Sequence, residues 1–359
     1  MKKILITTLN MHYGKINNAL LDFINYLDLT KYEVDLLMME PGELLLDMDK
    51  NINILYYKNY MLMPNKLFYN YKKKYVVDDL YNQFRFAFKK EYDIAIAFNG
   101  NNNYVDMIPA SVKAHKRIIW MQNPFDKISN KYKKSLIKKF NYFDNIVFTT
   151  NTCMENYVTM MPELEHKMIC INNIIDSKRV LKMASLKTNI NLGNEFKIVN
   201  ISNLKKENNI DKLIDIHLEL LNQGKKVKTY VVGDGLLSYD IAKKVRKYNI
   251  ADSFIMLGIQ HNLYNIMKQA DLYVNLSDNN KFNNNLLEAS ILEVPFVSTY
   301  SKANKDILSI LPNNAGKVCN YEDISKTIIK EFKTKKKIDF DYKKYNKEIS
   351  KKIDDLLDK

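Results

Sequence analysis

Residues 270–299 contain the residue types and the spacing that could bind an anionic ligand. An apolar stretch at 272–276 predicts a buried strand, and a polar loop leads from it to a helix that begins near Asn284. Asparagine side chains can cap such a helix, and its first amide N–H groups and its dipole favour an anion. Glu288 lies about one turn further along the helix, where its carboxylate could reach a polar part of the same ligand. An ordinary strand, loop and helix with an exposed Glu288 explains these residues equally well.

Strand-like and helix-like segments alternate along the chain in two series. The first series begins at residue 2 and the second begins at Phe196, and each contains apolar strands separated by helical patterns. Such alternation predicts a parallel, doubly wound sheet, and a chain of 359 residues exceeds the usual size of one hydrophobic core. The sequence therefore predicts an α/β protein with two Rossmann-like domains, at residues 1–178 and 196–335, followed by a charged C-terminal helix at 336–359.

The chain has a formal net charge of +14, and its lysines cluster with aromatic residues at 68–77 and 129–143. The second cluster predicts a basic amphipathic helix, because its apolar residues recur every three or four positions. Such a helix can lie on an anionic membrane surface, and a solvated lysine face over a core stripe explains the pattern equally well. A nucleic acid is not an expected partner, since no recognised nucleic-acid motif accompanies the clusters.

The cysteines and the apolar runs indicate the compartment. Three cysteines, an odd number without paired spacing, predict neither a disulfide framework nor a zinc site, which fits a reducing environment. We find no apolar run long enough for a signal peptide's core or for a membrane-spanning helix. The expected location is the cytoplasm, with peripheral binding at the inner face of the plasma membrane if the lysine clusters contact lipid.

Four segments of the second half resemble the glycosyl transferases group 1, the family 4 glycosyltransferases of GT-B fold. In chain order they read ISNLKKENNIDKLI, YVVGDG, FIMLGIQHNLYNIMKQADLYVNLS and FNNNLLEASILEVPFVST. The resemblance covers nearly the whole chain, and its opening residues resemble bacterial polysaccharide-type members. It implies two Rossmann-like domains whose parallel sheets face a central cleft. It also implies a C-terminal helix that packs back on the N-terminal domain.

The resemblance implies transfer of a sugar from a nucleotide sugar to a hydroxyl of a glycan or lipid-linked acceptor, with retention of anomeric configuration. A UDP-sugar is the expected donor, bound mostly by the C-terminal half, and the acceptor is expected mostly on the N-terminal half. Neither a metal nor a cofactor is implied beyond the donor substrate. The two Asp-x-Asp runs, at 47–49 and 339–341, lie outside the segments that resemble the donor site.

The resemblance also implies a set of site residues. Glu288 is expected on the ribose hydroxyls, the amides at the start of its helix on a phosphate, and glycine turns where the backbone approaches the ligand. The expected catalytic positions are Gln122 and Asn280. The expected nucleotide-binding residues are Gly14, Asn203, Asn208, Gly233, Gly235, Gly258, Ile259, Lys281, Asn283, Asn284 and Glu288.

Several of these positions depart from the family pattern. Asn203 and Asn208 stand where the family has an Arg and a Lys, Asn280 replaces the first of two glutamates, and Gln122 replaces a His. Lys281 could supply a displaced cation. The sequence therefore predicts a transferase that acts on a cell-envelope or capsular glycan. The alternative is a non-catalytic GT-B protein that binds a glycan, a nucleotide or a partner transferase.

Overall fold

The computed structural model describes residues 1–60, 77–100, 102–122, 128–277, 282–332 and 337–358. They divide into two compact units, which we call unit 1 and unit 2. Unit 1 comprises Met1–Ile174 with Asn346–Lys359, and unit 2 comprises Ile175–Tyr345. The division falls at residue 174, whereas the predicted end of the first domain was residue 178.

Unit 1 contains a parallel sheet of seven strands in the order β3-β2-β1-β4-β5-β6-β7. The strands are β1 Lys2–Asn10, β2 Tyr32–Glu40, β3 Asn53–Tyr56, β4 Tyr92–Ala97, β5 Ala114–Met121, β6 Asn145–Phe148 and β7 Met168–Cys170. The described helices are α1 Lys15–Tyr26, α2 Val77–Phe84, α3 Asn103–Ser111, α4 Asn130–Asn141 and α5 Asn151–Met160, with 3₁₀ turns at Glu43–Asp47, Tyr57–Tyr60 and Pro162–Lys167.

Unit 2 contains a second parallel sheet, of six strands in the order β10-β9-β8-β11-β12-β13. The strands are β8 Phe196–Ile201, β9 Val227–Val232, β10 Phe254–Gly258, β11 Leu272–Asn275, β12 Phe296–Thr299 and β13 Gly316–Cys319. The helices are α6 Ser177–Ser185, α7 Ile210–Asn222, α8 Ser238–Lys247, α9 Leu263–Met267, α10 Asn284–Ile291, α11 Lys302–Ser309 and α12 Ile324–Glu331, with 3₁₀ turns at Lys206–Asn208 and Tyr321–Asp323.

Both sheets are built outward from a central pair of strands, β1 with β4 and β8 with β11. Parallel strands of this kind are buried on both faces, which explains why they read as continuous apolar runs. An aspartate at the start of the second strand of each pair, Asp93 within β4 and Asp271 directly before β11, accepts a hydrogen bond from the start of the first strand. Asp93 accepts from the Lys3 amide at 2.6 Å, and Asp271 accepts from the Lys197 amide at 2.9 Å. The predicted fold of two Rossmann-like domains with parallel sheets is confirmed.

The last helix, α13 Tyr342–Asp358, carries a buried apolar stripe that includes Ile349 and Ile353. Its terminal carbonyl groups accept hydrogen bonds from lysines at the amino ends of strands in unit 1. Lys2 Nζ lies 3.0 Å from the Leu357 oxygen, and Lys116 Nζ donates to the Leu356 oxygen. Cations at a helix C-terminus offset the negative end of its dipole. None of the helices in the described ranges is long and apolar enough to cross a membrane.

Candidate functional site

The strand order of unit 2 reverses between β8 and β11, and a crevice outside their carboxyl ends is where open α/β sheets bind ligands. Two segments border this position: residues 202–209, which follow β8, and the segment that leads into α10. Side chains join them, because Asn209 Nδ2 donates to the Leu276 oxygen at 2.9 Å and Asn285 Nδ2 donates to the Ile201 oxygen at 3.2 Å. The described part of the 270–299 segment therefore lies at the ligand-binding edge of the sheet.

Asn283 caps the N-terminus of α10 without a side-chain cap hydrogen bond. The residue is 7% exposed, and its Oδ1 has no hydrogen-bond partner among the described residues. A buried, unpaired amide oxygen costs about 1–3 kcal/mol. Rotating the carboxamide by half a turn would present its Nδ2 donor instead. Together with the helix N-terminus, this group can receive a polar, anionic ligand.

Glu288 lies one turn into α10 and is 4% exposed, so the interpretation of an exposed glutamate is wrong. Its Oε1 accepts a hydrogen bond from the Tyr264 hydroxyl at 3.1 Å. The Arg179 guanidinium lies 5.5 Å from the centre of the Tyr264 ring. A buried carboxylate is costly unless polar groups surround it. Glu288 is therefore held in place by its neighbours and can accept hydroxyl donors from a ligand at the same edge.

Tyr273 on β11 is also fully buried beside this helix. Burial raises the pKa of Tyr273 well above its usual value, and the nearby Glu288 carboxylate raises it further. The hydroxyl accepts a hydrogen bond from Asn285 Nδ2 at 3.0 Å. Because the phenol stays protonated, it keeps its own proton to donate.

Polar residues that the sequence analysis did not select line the ends of the neighbouring strands. Asn275 and Asn304 each donate to the Ser298 hydroxyl, at 2.8 and 2.9 Å, and the Thr299 hydroxyl donates to the Ser277 oxygen at 3.0 Å. These bonds fix the backbone on both sides of α10. A polar residue at the last position of an apolar strand was the sequence signal that could have identified Asn275 and Thr299.

Asn203 and Asn208 contact each other in the loop after β8. Asn208 Nδ2 donates to the Asn203 backbone oxygen at 2.6 Å, so these two positions stabilise the loop and supply no charge. Lys205 and Lys206 lie between them and are exposed. Their position next to the crevice makes them cations that the sequence analysis overlooked.

Gly233 and Gly235 are explained by packing between two loops of the protein. A Cβ atom at Gly233, which has φ +131°, would lie 2.1 Å from the Ser202 oxygen, and one at Gly235 would lie 2.5 Å from the Leu204 oxygen. The glycines therefore let the loop after β9 contact the loop after β8. At the end of β10, Gly258 has open space around it and Ile259 is 69% exposed.

The predicted residues of unit 1 lie at the carboxyl edge of its own sheet. Gln122 follows β5 and is buried, and it exchanges two hydrogen bonds with the buried Asn173, at 2.9 and 3.1 Å. Both polar atoms of the Gln122 side chain are thus engaged. Gly14 caps α1 in an extended conformation, and an added Cβ would meet no atom within 4 Å. Packing therefore does not require a glycine at that position.

Two predicted residues, Asn280 and Lys281, lie outside the described residues, as does most of the lysine cluster at 68–77. In the second cluster, one part of the prediction is wrong. Lys139 has no exposed area and pairs with Asp106 at 2.9 Å, so it belongs to the interior and not to a lysine face. The described ranges contain no group of three or more His, Cys, Asp or Glu side chains placed to hold a metal ion.

Residues 185–352 match the family model of the glycosyl transferases group 1. Among curated proteins, the chain is similar to an uncharacterized glycosyltransferase of Methanocaldococcus jannaschii, with 23% identity over 263 residues, which are 68% of this chain and 62% of that protein. It is also similar to the N-acetylgalactosamine-N,N'-diacetylbacillosaminyl-diphospho-undecaprenol 4-alpha-N-acetylgalactosaminyltransferase of Campylobacter jejuni, with 24% identity over 186 residues, which are 52% of this chain and 49% of that protein. The chain thus spans less than two thirds of the length of either relative.

Among solved structures, the chain is similar to Anabaena HepE in complex with UDP-glucose, with a TM-score of 0.72 and 13% sequence identity. The match covers 99% of this chain and 100% of HepE. At this identity the likeness shows the fold alone, which is GT-B. The resemblance to the glycosyl transferases group 1 that the sequence predicted is confirmed.

Proposed function

We propose that this protein is a glycosyltransferase that moves a sugar from a nucleotide sugar to a hydroxyl of a cell-envelope or capsular glycan, with retention of anomeric configuration. The observation that carries the proposal is the start of α10. There a helix N-terminus, a buried carboxamide without a partner and a buried carboxylate one turn away converge on the switch point of a Rossmann-like sheet. This combination matches a diphosphate joined to a ribose.

In our proposal the donor is a UDP-sugar, in keeping with the UDP-glucose bound to HepE. The first amides of α10 and the rotated Asn283 carboxamide donate to the diphosphate. Glu288 accepts hydrogen bonds from the ribose hydroxyls. Exposed Lys205 and Lys206 offset the phosphate charge in place of the family's Arg and Lys.

The acceptor is bound by unit 1, whose carboxyl edge carries Gln122. During transfer the bond between the anomeric carbon and the diphosphate oxygen breaks, and the acceptor oxygen bonds to that carbon. An amide such as that of Gln122 is not a base. The acceptor proton therefore passes to a phosphate oxygen of the leaving diphosphate. Attack on the same face that the diphosphate leaves gives retention.

We further propose that the reaction occurs in the cytoplasm on a lipid-linked glycan at the inner face of the plasma membrane. The relative from Campylobacter jejuni is named for a diphospho-undecaprenol-linked acceptor. In this chain Lys131, Lys134 and Lys138 of α4 are exposed and supply a basic surface on unit 1.

A non-catalytic GT-B protein that binds nucleotide is the second candidate. It is favoured by one observation: the Asn203 and Asn208 pair is neutral and hydrogen-bonded to itself where the family has two cations. Such a protein would bind UDP or a glycan and transfer no sugar.

Titration calorimetry with UDP, UDP-glucose, GDP and ADP, together with an assay of UDP release, separates these candidates. Replacing Glu288 by Gln removes a charge-assisted contact of roughly 1.5–3 kcal/mol, so we expect the Kd for UDP to rise at least tenfold. Glu293→Gln is the matched control, since Glu293 is exposed beyond the far end of the same helix.

Sugar transfer by the wild type supports the enzyme, and nucleotide binding without transfer supports the second candidate. If none of the nucleotides binds, the donor-site proposal is wrong. The same holds if Glu288→Gln and Glu293→Gln bind UDP equally well.

A further inference from the structure

Unit 1 contains a fully buried ion pair that the proposed chemistry does not use. Lys139 of α4 and Asp106 of α3 have no exposed side-chain area, and Lys139 Nζ lies 2.9 Å from Asp106 Oδ2. Both groups also bond to Gly100: its amide donates to Asp106 Oδ1 at 3.1 Å, and its oxygen accepts from Lys139 Nζ at 2.8 Å. We call Gly100, Asp106 and Lys139 the Gly100 clamp.

The clamp lies at the carboxyl edge of the unit 1 sheet. Gly100 follows β4, which pairs with β1 at the position where the strand order reverses. Its φ is +75°, and an added Cβ would lie 2.4 Å from Met121 Sδ and 3.1 Å from Met121 Cα. The clamp therefore holds the chain after β4 against the end of β5, immediately before Gln122.

Stability alone does not account for the pair. Removing two charges from water costs so much that an apolar pair of similar size is often as stable or more stable. Burial raises the pKa of the Asp106 carboxyl even though Lys139 lies beside it. The ion pair supplies a hydrogen-bond donor, Lys139, and a hydrogen-bond acceptor, Asp106, for the backbone of Gly100. An apolar pair would supply neither.

We propose that Asp106 and Lys139 are positioning residues for acceptor binding. Through the Gly100 backbone they hold the ends of β4 and β5, with Gln122, in the conformation that receives the acceptor hydroxyl. Neither side chain touches the substrate. The inference rests on the proposed function, in which unit 1 binds the acceptor and unit 2 binds the donor.

The test replaces the pair by apolar residues, Asp106→Leu with Lys139→Met. The matched control is Glu91→Leu with Lys113→Met, which removes an exposed ion pair of 2.8 Å between the residues that directly precede β4 and β5. The probes are UDP-glucose as donor and a polyprenyl-diphosphate-linked N-acetylgalactosamine in detergent micelles as acceptor. Four readouts are needed: the acceptor KM and kcat, the Kd for UDP, the hydrolysis of UDP-glucose by water, and hydrogen exchange at the Gly100 amide.

We expect the buried-pair variant to raise the acceptor KM at least tenfold and to speed exchange at the Gly100 amide at least tenfold. Its Kd for UDP and its hydrolysis of UDP-glucose should change less than twofold, because both depend on unit 2. The control variant should leave every readout within twofold of the wild type. A folded buried-pair variant with a wild-type acceptor KM or wild-type exchange at Gly100 would overturn the proposal.

A second variant, Asp106→Asn, tests the proposal if the apolar variant does not fold. It keeps the shape of the side chain and an oxygen for the Gly100 amide, and it removes the negative charge that pairs with Lys139. An acceptor KM raised at least threefold supports the clamp, and an unchanged KM overturns it. If the wild type transfers no sugar at all, the proposed function fails on its own. The affinity for the acceptor probe and the rate of hydrogen exchange at the Gly100 amide are then compared between the wild type and Asp106→Asn. Equal affinities and equal exchange rates overturn the proposal. Weaker acceptor binding and faster exchange in Asp106→Asn support it.

Discussion

His217 makes the stability of unit 2 sensitive to acid. The residue lies on α7, has no exposed area and bridges two hydroxyl groups: Nδ1 lies 2.9 Å from Thr229 Oγ1, and Nε2 lies 2.9 Å from Ser253 Oγ. Desolvation by burial lowers its pKa from 6.5 to about 4. The ring is therefore neutral in the folded protein at pH values where it takes up a proton in the unfolded chain.

The sign and size of the effect follow from proton linkage. Well above pH 6.5 the imidazole is neutral in both the folded and the unfolded protein, and the pKa shift has no effect on stability. Between 6.5 and about 4 the unfolded state binds more protons, so stability falls as the pH falls. Between about pH 7.5 and pH 4.5 the loss is about 2.5 kcal/mol, since each pKa unit corresponds to about 1.4 kcal/mol.

The measurement compares wild type with His217→Gln, which can hydrogen-bond to both hydroxyls and does not titrate. Urea-dependent hydrogen exchange of β9 and α7 peptides reports the opening free energy of unit 2 at each pH. Subtracting the pH dependence of the opening free energy in one protein from that in the other removes the contribution of the carboxylates, which both proteins share. Between about pH 7.5 and pH 4.5, we expect the opening free energy of unit 2 to fall by about 2.5 kcal/mol more in the wild type than in His217→Gln. His166→Gln, an exposed position, should behave as wild type. Parallel pH dependences for wild type and His217→Gln would refute the reasoning.

Three further predictions concern the loops and the basic surface. Gly233→Ala should destabilise unit 2 and abolish UDP binding, because the new Cβ would lie 2.1 Å from a backbone oxygen, whereas Gly14→Ala should fold as wild type in a thermal scan. Asn203→Arg should tighten UDP more than uridine in calorimetry, since the exposed side chain gains a charge while the backbone oxygen remains; equal changes for both ligands would contradict this. Lys131→Gln with Lys134→Gln should reduce salt-sensitive flotation with anionic liposomes, and equal flotation with neutral liposomes would argue against a lipid surface.

The sequence was sufficient to predict the elements around the proposed donor site. Apolar runs of strand length separated by helical patterns predicted two parallel sheets, and the 270–299 segment was assigned a strand and a helix close to those observed. Such patterns are local, because a strand buried on both faces must be apolar along its length. The order of the motifs was likewise enough to predict the family resemblance of residues 185–352.

Only the tertiary structure decided what individual polar residues do. Lys139 stands in a lysine-rich stretch that reads as a solvated face, yet its partner Asp106 comes from another helix and both are buried. Glu288 could be exposed or buried by its spacing alone. The tertiary structure buries it and brings the hydroxyl of Tyr264, a residue of another helix, to within hydrogen-bond distance. Position 233 requires a glycine because the backbone oxygen of Ser202, in the loop after β8, lies too close for a Cβ atom. These outcomes depend on contacts between residues distant in the chain, and local composition and periodicity carry no information about such pairs.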